Sequence, residues 1–313
     1  MKDKVIVIVG PTASGKSGLG IELAKKINGV VISADSMQIY KSLDIGTAKV
    51  TKKEADGITH ELIDIVDIDK KFSVSEYKKL CYEKIDEILK ENKVPIIVGG
   101  TGLYINAVVN NMQFENFDAA IEQEVDDKIA TLIEGKTSDE LYDILLRLDE
   151  KAAIKIGKGN DKRIIRAIKL NMLGVKKSII DDKNDLWDKN DSKYNFLVIY
   201  IDMPRDLLYD KINDRVDEMV KLGVVKEAET LLEFKNTDYT AVQAIGYKEF
   251  FPYLEGEKTL EECVENLKQK SRNYAKRQIT WFKKLQDKVI LDGTKSKQKM
   301  IEEILVKYNG NEK

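Results

Sequence analysis

The chain has 313 residues, with 52 Lys and Arg against 54 Asp and Glu, one His, two Cys and four Pro. This length allows one large domain or two modest ones, and 42% hydrophobic with 34% charged residues excludes a disordered or collagen-like chain. A net charge of −2 excludes a uniformly basic nucleic-acid binder but leaves local patches open.

The first apolar run, Val5 to Val9, is β-branched throughout and predicts a strand buried on both faces. No apolar run approaches the ~18 residues of a membrane span, so no membrane anchor is expected. The opening MKDKVIVIVG has no long apolar region ahead of a small-residue cleavage site, so the expectation is a cytoplasmic protein without a secretory signal. Cys81 and Cys263 are isolated, which suits a reducing compartment, and with a single His they cannot build a usual zinc site. Ser17 to Ile27 has Leu19, Leu23, Ala24 and Ile27 at helical spacing, and Asn28-Gly29 stops that helix. Val30 to Ile32 predicts a second strand, and Glu61 to Val66 alternates weakly. Ser75 to Lys90 predicts a helix, and Val94 to Val98 a third buried strand running into Gly99-Gly100. This alternation implies a parallel sheet covered on both sides.

After Asn110 only helical patterns follow: Ile121 to Leu132, Ser138 to Leu146 and Lys162 to Leu173. Lys176 to Lys193 is polar and acidic and reads as loop. Phe196 to Ile201 is strand-like, Met203-Pro204 breaks the chain, and Arg205 to Leu232 is helical with an interruption at Gly223. A long helix is expected from Leu260 to Leu285 and a closing strand at Val289 to Leu291.

Gly10-Pro11-Thr12-Ala13-Ser14-Gly15-Lys16-Ser17 matches G-x-x-x-x-G-K-[ST], between a buried strand and a helix. In such a P-loop the glycines let backbone N–H groups turn inward around phosphate oxygens, and the helix start adds positive potential. Lys16 offers a point charge, and Ser17 a hydroxyl for a magnesium ion. A glycine-rich turn with no ligand is the bland alternative. The fold expected is therefore α/β: a P-loop NTPase-like parallel sheet over residues 1–112 and 195–313, with an all-helical insertion over 113–194.

Asp35 follows the second strand, at the sheet edge where ligand crevices lie. It could act as a base, as an outer partner of magnesium, or simply cap a turn. Gly99-Gly100-Thr101-Gly102 reaches the same edge. Three glycines in four residues suggest close backbone approach to a ligand, or a plain flexible turn.

The stretches GPTASGKS, ISADSMQIYKSLDIGTAK (Ile32 to Lys49) and IIVGGTGLYINAV (Ile96 to Val108) resemble the tRNA dimethylallyltransferases, also called tRNA isopentenyltransferases. DKRIIRAIKL (Asp161 to Leu170), the Arg215/Met219/Gly223 pattern, QAIGYKE (Gln243 to Glu249) and AKRQITWFK (Ala275 to Lys283) continue the match in the family's order. The resemblance implies transfer of a dimethylallyl group from dimethylallyl diphosphate to N6 of the adenosine 3′-adjacent to the anticodon, in tRNAs reading codons that begin with U. It implies a requirement for magnesium. It also implies that Gly10 to Ser17 form the phosphate site, with Thr12, Ala13, Ser14, Gly15, Lys16 and Ser17 on the donor diphosphate in place of ATP hydrolysis. Lys16 would neutralise the leaving group, Asp35 accept the amine proton and Thr101 help hold the diphosphate. By resemblance the tRNA meets Asp35, Ser36, Met37, Gln38 and Thr101, then Gln123, then Lys162, Arg163, Ile164, Ile165 and Arg166. It also meets Gln243, Ala244, Ile245, Gly246, Tyr247 and Lys248. Many members carry Arg where Glu122-Gln123 stands, and some where Gln243 and Lys248 stand. Eukaryotic members append a zinc finger; ending at Lys313 without one fits the bacterial type, acting as a monomer.

The final helix gathers Lys268, Lys270, Arg272, Lys276, Arg277, Lys283 and Lys284 around Tyr274, Trp281 and Phe282. A second basic run is Lys158, Lys162, Arg163, Arg166 and Lys169. Such clusters supply phosphate contacts, and aromatic rings can stack on bases, although Trp281 and Phe282 read better as core. Two enzyme classes compete with the prenyl-transfer reading: a P-loop small-molecule kinase, and an adenylate isopentenyltransferase. A non-enzymatic P-loop module is disfavoured by the convergence of Asp35 and Thr101 on the loop.

Overall fold

The computed structural model describes residues 2–115, 117–183, 191–237 and 239–310. In chain order they form β1 (Lys4–Val9), α1 (Lys16–Ile27), β2 (Gly29–Ser33), α2 (Lys52–Ala55), β3 (His60–Glu61), α3 (Val74–Lys90), β4 (Val94–Gly99) and α4 (Gly102–Val109). Then come α5 (Ala119–Ile133), α6 (Ser138–Leu148), α7 (Glu150–Ile156), α8 (Asp161–Met172) and α9 (Lys177–Lys183). The chain continues as β5 (Asn195–Asp202), α10 (Arg205–Leu222), α11 (Val224–Leu232), α12 (Phe251–Leu254), α13 (Leu260–Lys283), β6 (Val289–Asp292) and α14 (Lys297–Asn309).

It divides into two compact units, Met1–Asn111 with Lys189–Lys313, and Met112–Asp188. In the first, the strands make one parallel sheet of order β3-β2-β4-β1-β5-β6. Central β1 is apolar on both faces because both are covered. Ile6 and Ile8 pack with Leu19 and Leu23 of α1 and Met300 and Ile304 of α14. Val5, Val7 and Val9 point the other way and are equally buried. A second core lies under the loop Ile39–Leu43, where Val216, Met219, Val224, Phe250, Cys263 and Leu267 from α10 to α13 converge. The register sets Val9 beside both Gly99 and Tyr200, so the chain leaves β1 and β4 at one edge.

The helical unit buries Leu141, Leu145, Ala153, Ile164, Ala167 and Ile168 in a core of its own. Two sequence expectations change. The stretch read as loop from Lys176 starts with α9, because Asp149 reaches across 29 residues to accept the Ser178 N–H at 2.9 Å; residues 184–190 of that stretch lie outside the described residues. Residues 191–194 group with the sheet unit instead of the insertion, held by a Tyr194 hydroxyl donating to Asp86 at 2.7 Å. Helices α2, α4, α7, α12 and α14 had no expectation attached. Gly223 interrupts α10 and α11 as expected, at φ 96°.

Gly99 has backbone on its open side: an added Cβ would overlap the Ala34 carbonyl, which accepts the Thr101 N–H at 3.1 Å. Neither strand end can yield without breaking the ladder, so Gly99→Ala should lower stability by about 3 kcal/mol. A urea midpoint equal to wild type would show that the two edges separate freely.

Candidate active site

The P-loop fills the turn from β1 to α1. Ala13 (φ 61°) and Gly15 (φ 85°) adopt left-handed conformations, which turn successive N–H groups toward one concavity. Ser14 Oγ is buried there and has no hydrogen-bond partner among the described residues. A buried hydroxyl without a partner is costly, and a phosphate oxygen in the cradle would supply one. This fits the group that the motif implies. Ser17, half-buried in the first turn of α1, stands where a magnesium ion on that phosphate would find its hydroxyl. Among the described residues no three His, Cys, Asp or Glu side chains cluster to hold a metal without the phosphate.

Lys16 keeps some exposure as a residue, but its ammonium is enclosed and donates to the Pro11 carbonyl at 3.2 Å. Burial, and then the charge of Arg215, pull its pKa down to about 8, with Asp35 pulling the other way. Arg215 comes from α10. Its Nη1 donates to Thr12 Oγ1 at 3.3 Å and its Nη2 to the Thr47 carbonyl at 3.4 Å. Burial lowers its pKa as well, opposed by Asp35. Sequence reading found Arg215 only as part of a motif. The available signal was a cation set among Ile212, Val216 and Met219 on one helical face.

Of the roles left open by the sequence, the structure shows Asp35 as a turn cap with one carboxylate oxygen left open. Its Oδ1 accepts the backbone N–H of Met37 at 2.9 Å and of Gln38 at 3.4 Å, so one oxygen caps the turn. Its Oδ2 accepts no hydrogen bond among the described residues, and Asp35 lines a cleft. Thr101 ties the β4 edge to this turn: its Oγ1 accepts the Ser36 N–H at 2.9 Å and donates to Ser36 Oγ at 3.3 Å. The glycines beside it are there for close packing, since a Cβ on Gly102 would overlap the Trp281 indole.

The cleft encloses about 910 Å³ including its open mouth. Thr12, Asp35, Arg215, Ser271 and Tyr274 supply its polar lining, and Ile212, Val216, Met219, Leu267 and Ile245 its apolar lining. Ser36, Met37 and Gln243 to Gly246 also line it, so those predicted residues do converge. Burial of Tyr274, and then the Asp35 charge, push its hydroxyl pKa upward.

Other predicted contacts need correcting. Tyr247 is fully buried, its ring filling the space left by Gly46 and its hydroxyl donating to Glu227, so its side chain is a strut and not an RNA surface. Glu227, which the sequence reading missed, also accepts the N–H groups of Asp44 at 2.6 Å and Ile45 at 2.7 Å. It thereby joins the Ile45-Gly46-Thr47 and Gly246-Tyr247 segments of the wall. The Gln38 amide is engaged with Ser33, Thr47 and Ala48. Gln123 and Lys162 to Arg166 belong to the helical unit. Ile164 is in its core, while Gln123, Lys162, Arg163 and Arg166 are exposed. Glu122 lies 3.0 Å from Lys169 and 3.9 Å from Arg166, which partly neutralises that run. On α13, Lys268 pairs with Asp217 at 2.8 Å and Arg272 donates to Asn213 at 2.6 Å, leaving Lys270, Lys276 and Arg277 exposed. Phe282 is core.

The chain matches the family model described as IPP transferase over residues 38–285. It is 48% identical to the tRNA dimethylallyltransferase of Acetivibrio thermocellus over 91% of this chain and 90% of that protein. It is similar to the crystal structure of a tRNA isopentenylpyrophosphate transferase from Staphylococcus epidermidis, at 43% identity and a TM-score of 0.71 over 98% of this chain and 99% of that one. A eukaryotic dimethylallyltransferase caught acting on tRNA matches with a TM-score of 0.83 at 30% identity, over 98% of this chain and 80% of that one.

The lowered pKa of Lys16 has a measurable consequence. Above about pH 8 the free protein holds Lys16 largely neutral, whereas a bound phosphate favours the charged form. Binding a diphosphate monoester should then take up a proton, with affinity falling as pH rises from about 8 toward the ordinary lysine value. Calorimetry in buffers of different ionisation enthalpy should give little uptake near pH 7 and most of one proton near pH 9. The same small uptake at both would remove Lys16 as the shifted group.

Proposed function

The chain belongs to the tRNA dimethylallyltransferase family, and we propose that it makes N6-dimethylallyl adenosine at the cleft that Asp35, Arg215 and the P-loop share. The donor is dimethylallyl diphosphate, and the acceptor is the adenosine 3′-adjacent to the anticodon in tRNAs reading codons that begin with U. One observation carries this reading: Thr12 of the P-loop, Arg215 and Asp35 with its open oxygen line a single cleft together with apolar side chains, and the rest of the anion cradle adjoins it, with Lys16 enclosed within range of the Arg215 and Asp35 charges. Phosphate-transfer sites need the cradle and the cations. A wall of Ile212, Val216, Met219 and Leu267 suits a hydrocarbon group and keeps water from a reactive allylic carbon.

In the proposed step the N6 lone pair attacks C1 of the dimethylallyl group. The C1–O bond breaks, its electron pair leaves on the diphosphate, and an N6 proton passes to Asp35 Oδ2. Lys16, Arg215 and the backbone N–H groups of the loop meet the charge that develops on the bridging oxygen, with no reorganisation during reaction. A magnesium ion on Ser17 would supply further neutralisation of the leaving group. Thr101 braces the Asp35 turn and so aims the base. The adenine must leave its stack to enter the cleft, which is easiest in a single-stranded loop.

The test is incubation with labelled dimethylallyl diphosphate and unmodified tRNA, followed by nucleoside analysis, with ATP and small acceptors in parallel. Label in N6-dimethylallyl adenosine supports the reading, while phosphoryl transfer alone would replace it with a kinase. Asp35→Asn should lower the chemical step about 10²–10⁴-fold with tRNA affinity within a few fold. Lost binding with intact chemistry would make Asp35 an RNA contact. Replacing Lys162 and Arg166 with Ala should flatten the slope of log affinity against log salt by about 1–2, at one phosphate contact each. An unchanged slope would move the RNA surface off α8.

A further inference from the structure

We infer that Gln278, on α13, is a positioning residue that holds the donor cradle in its phosphate-ready shape; the inference rests on the function proposed above. Gln278 is one of the few buried polar side chains among the described residues, and both ends of its amide are used. Oε1 accepts the Thr12 N–H at 2.8 Å, and Nε2 donates to the Gly100 carbonyl at 2.9 Å. One side chain therefore bridges the P-loop and the glycine loop after β4 from a helix 266 and 178 residues further along the chain.

Two further observations make this more than a satisfied core amide. The Thr12 N–H is occupied by Gln278, and the Thr12 hydroxyl accepts from Arg215, so the amide and the side chain of this loop residue are each set by a later element. The front of the cradle is thus fixed before any anion arrives, which removes a cost from binding. Gly100 is shaped around the same amide, because a Cβ there would overlap Gln278 Nε2. The same added Cβ would stand 3.6 Å from Lys16 Cε, so the bridge and the catalytic lysine share one corner. Without the bridge, the Thr12 N–H and Gly100 carbonyl lack their partner, and the loops can drift apart.

The test compares wild type, Gln278→Met and Gln278→Glu in the full chain. Met keeps the volume and loses both hydrogen bonds; Glu keeps the acceptor for Thr12 but sets a carboxylate against the Gly100 carbonyl. Calorimetry with inorganic diphosphate and magnesium reads the cradle, titration with unmodified tRNA reads the RNA surface, and the transfer assay separates the KM for dimethylallyl diphosphate from kcat. For Gln278→Met we expect about tenfold weaker diphosphate binding, a matching rise in donor KM and tRNA affinity within twofold. Gln278→Glu should weaken diphosphate at least as much. Adding Gly100→Ala to Gln278→Met should cost less diphosphate affinity than Gly100→Ala costs alone, because both act on one bridge. Diphosphate affinity equal to wild type in folded Gln278→Met and Gln278→Glu would overturn the inference, leaving Gln278 a core residue. Should Gln278→Met fail to fold, the soluble Gln278→Glu decides by the same measure. Wild type that binds diphosphate but transfers nothing to tRNA would overturn the function and leave the cradle assignment standing.

Discussion

Two cations enclosed within reach of each other repel, and the site keeps Lys16 and Arg215 in that arrangement. Each lowers its own stability by burial, and the charge of Arg215 lowers the pKa of Lys16 further. The one carboxylate that opposes this, Asp35, gives an oxygen to the backbone N–H groups of Met37 and Gln38 instead of pairing with either cation. The result is an anion site with unbalanced positive charge, which is what a diphosphate needs and what a folded protein otherwise avoids. Stability lost there must come from elsewhere. The fully buried central strand and the two cores on α1/α14 and α10 to α13 supply it.

Holding two like charges in place requires rigid loops, and the rigidity comes from side chains late in the chain. Arg215, Glu227, Tyr247 and Gln278 each fasten a loop that the first half of the sequence contributes. Gly46, Gly99 and Gly100 are small because these fasteners or a neighbouring strand fill the space where a Cβ would sit. The glycines that read as ligand approach in sequence are thus, in part, places where protein approaches protein. This explains why motifs so far apart occur together: each is half of a contact.

Much of the architecture was legible from one residue type at one spacing. Val5 to Val9 could only be a doubly covered strand, and G-x-x-x-x-G-K-S after it located the cradle. The same reasoning failed where a partner lies far away in sequence. Helix α9 is capped by Asp149, and nothing near Lys177 announces that. Tyr247 was placed on the RNA by resemblance of the whole Gln243 to Lys248 motif, which does not separate its buried members from its exposed ones; the Glu227 that receives its hydroxyl lies 20 residues earlier on a separate helix. Ile164 was included because the resemblance covers Lys162 to Arg166 as a block, although helical periodicity with Ala167 and Ile168 already turned it inward. Asp35 was ambiguous because one of its oxygens caps the turn while the other stays open.

A chain with an isoelectric point near 5.8 can still hold RNA if its basic residues escape neutralisation by its own acids. The surface sorts them. Lys169 and Lys268 are mostly buried along their stems and tied to Glu122, Asp126, Asp217 and Glu265. Lys162, Arg163, Lys270 and Lys276 are exposed, and Arg277 lies over the Tyr274 ring at 5.5 Å, beside the cleft that Tyr274 lines. Glu122 sets a negative charge 3.0 Å from Lys169 and 3.9 Å from Arg166. A weaker, more local field follows, which leaves fewer free cations to meet phosphates. On such a surface backbone attraction positions an RNA but carries no sequence information, so discrimination has to come from the shape and polar groups of a site.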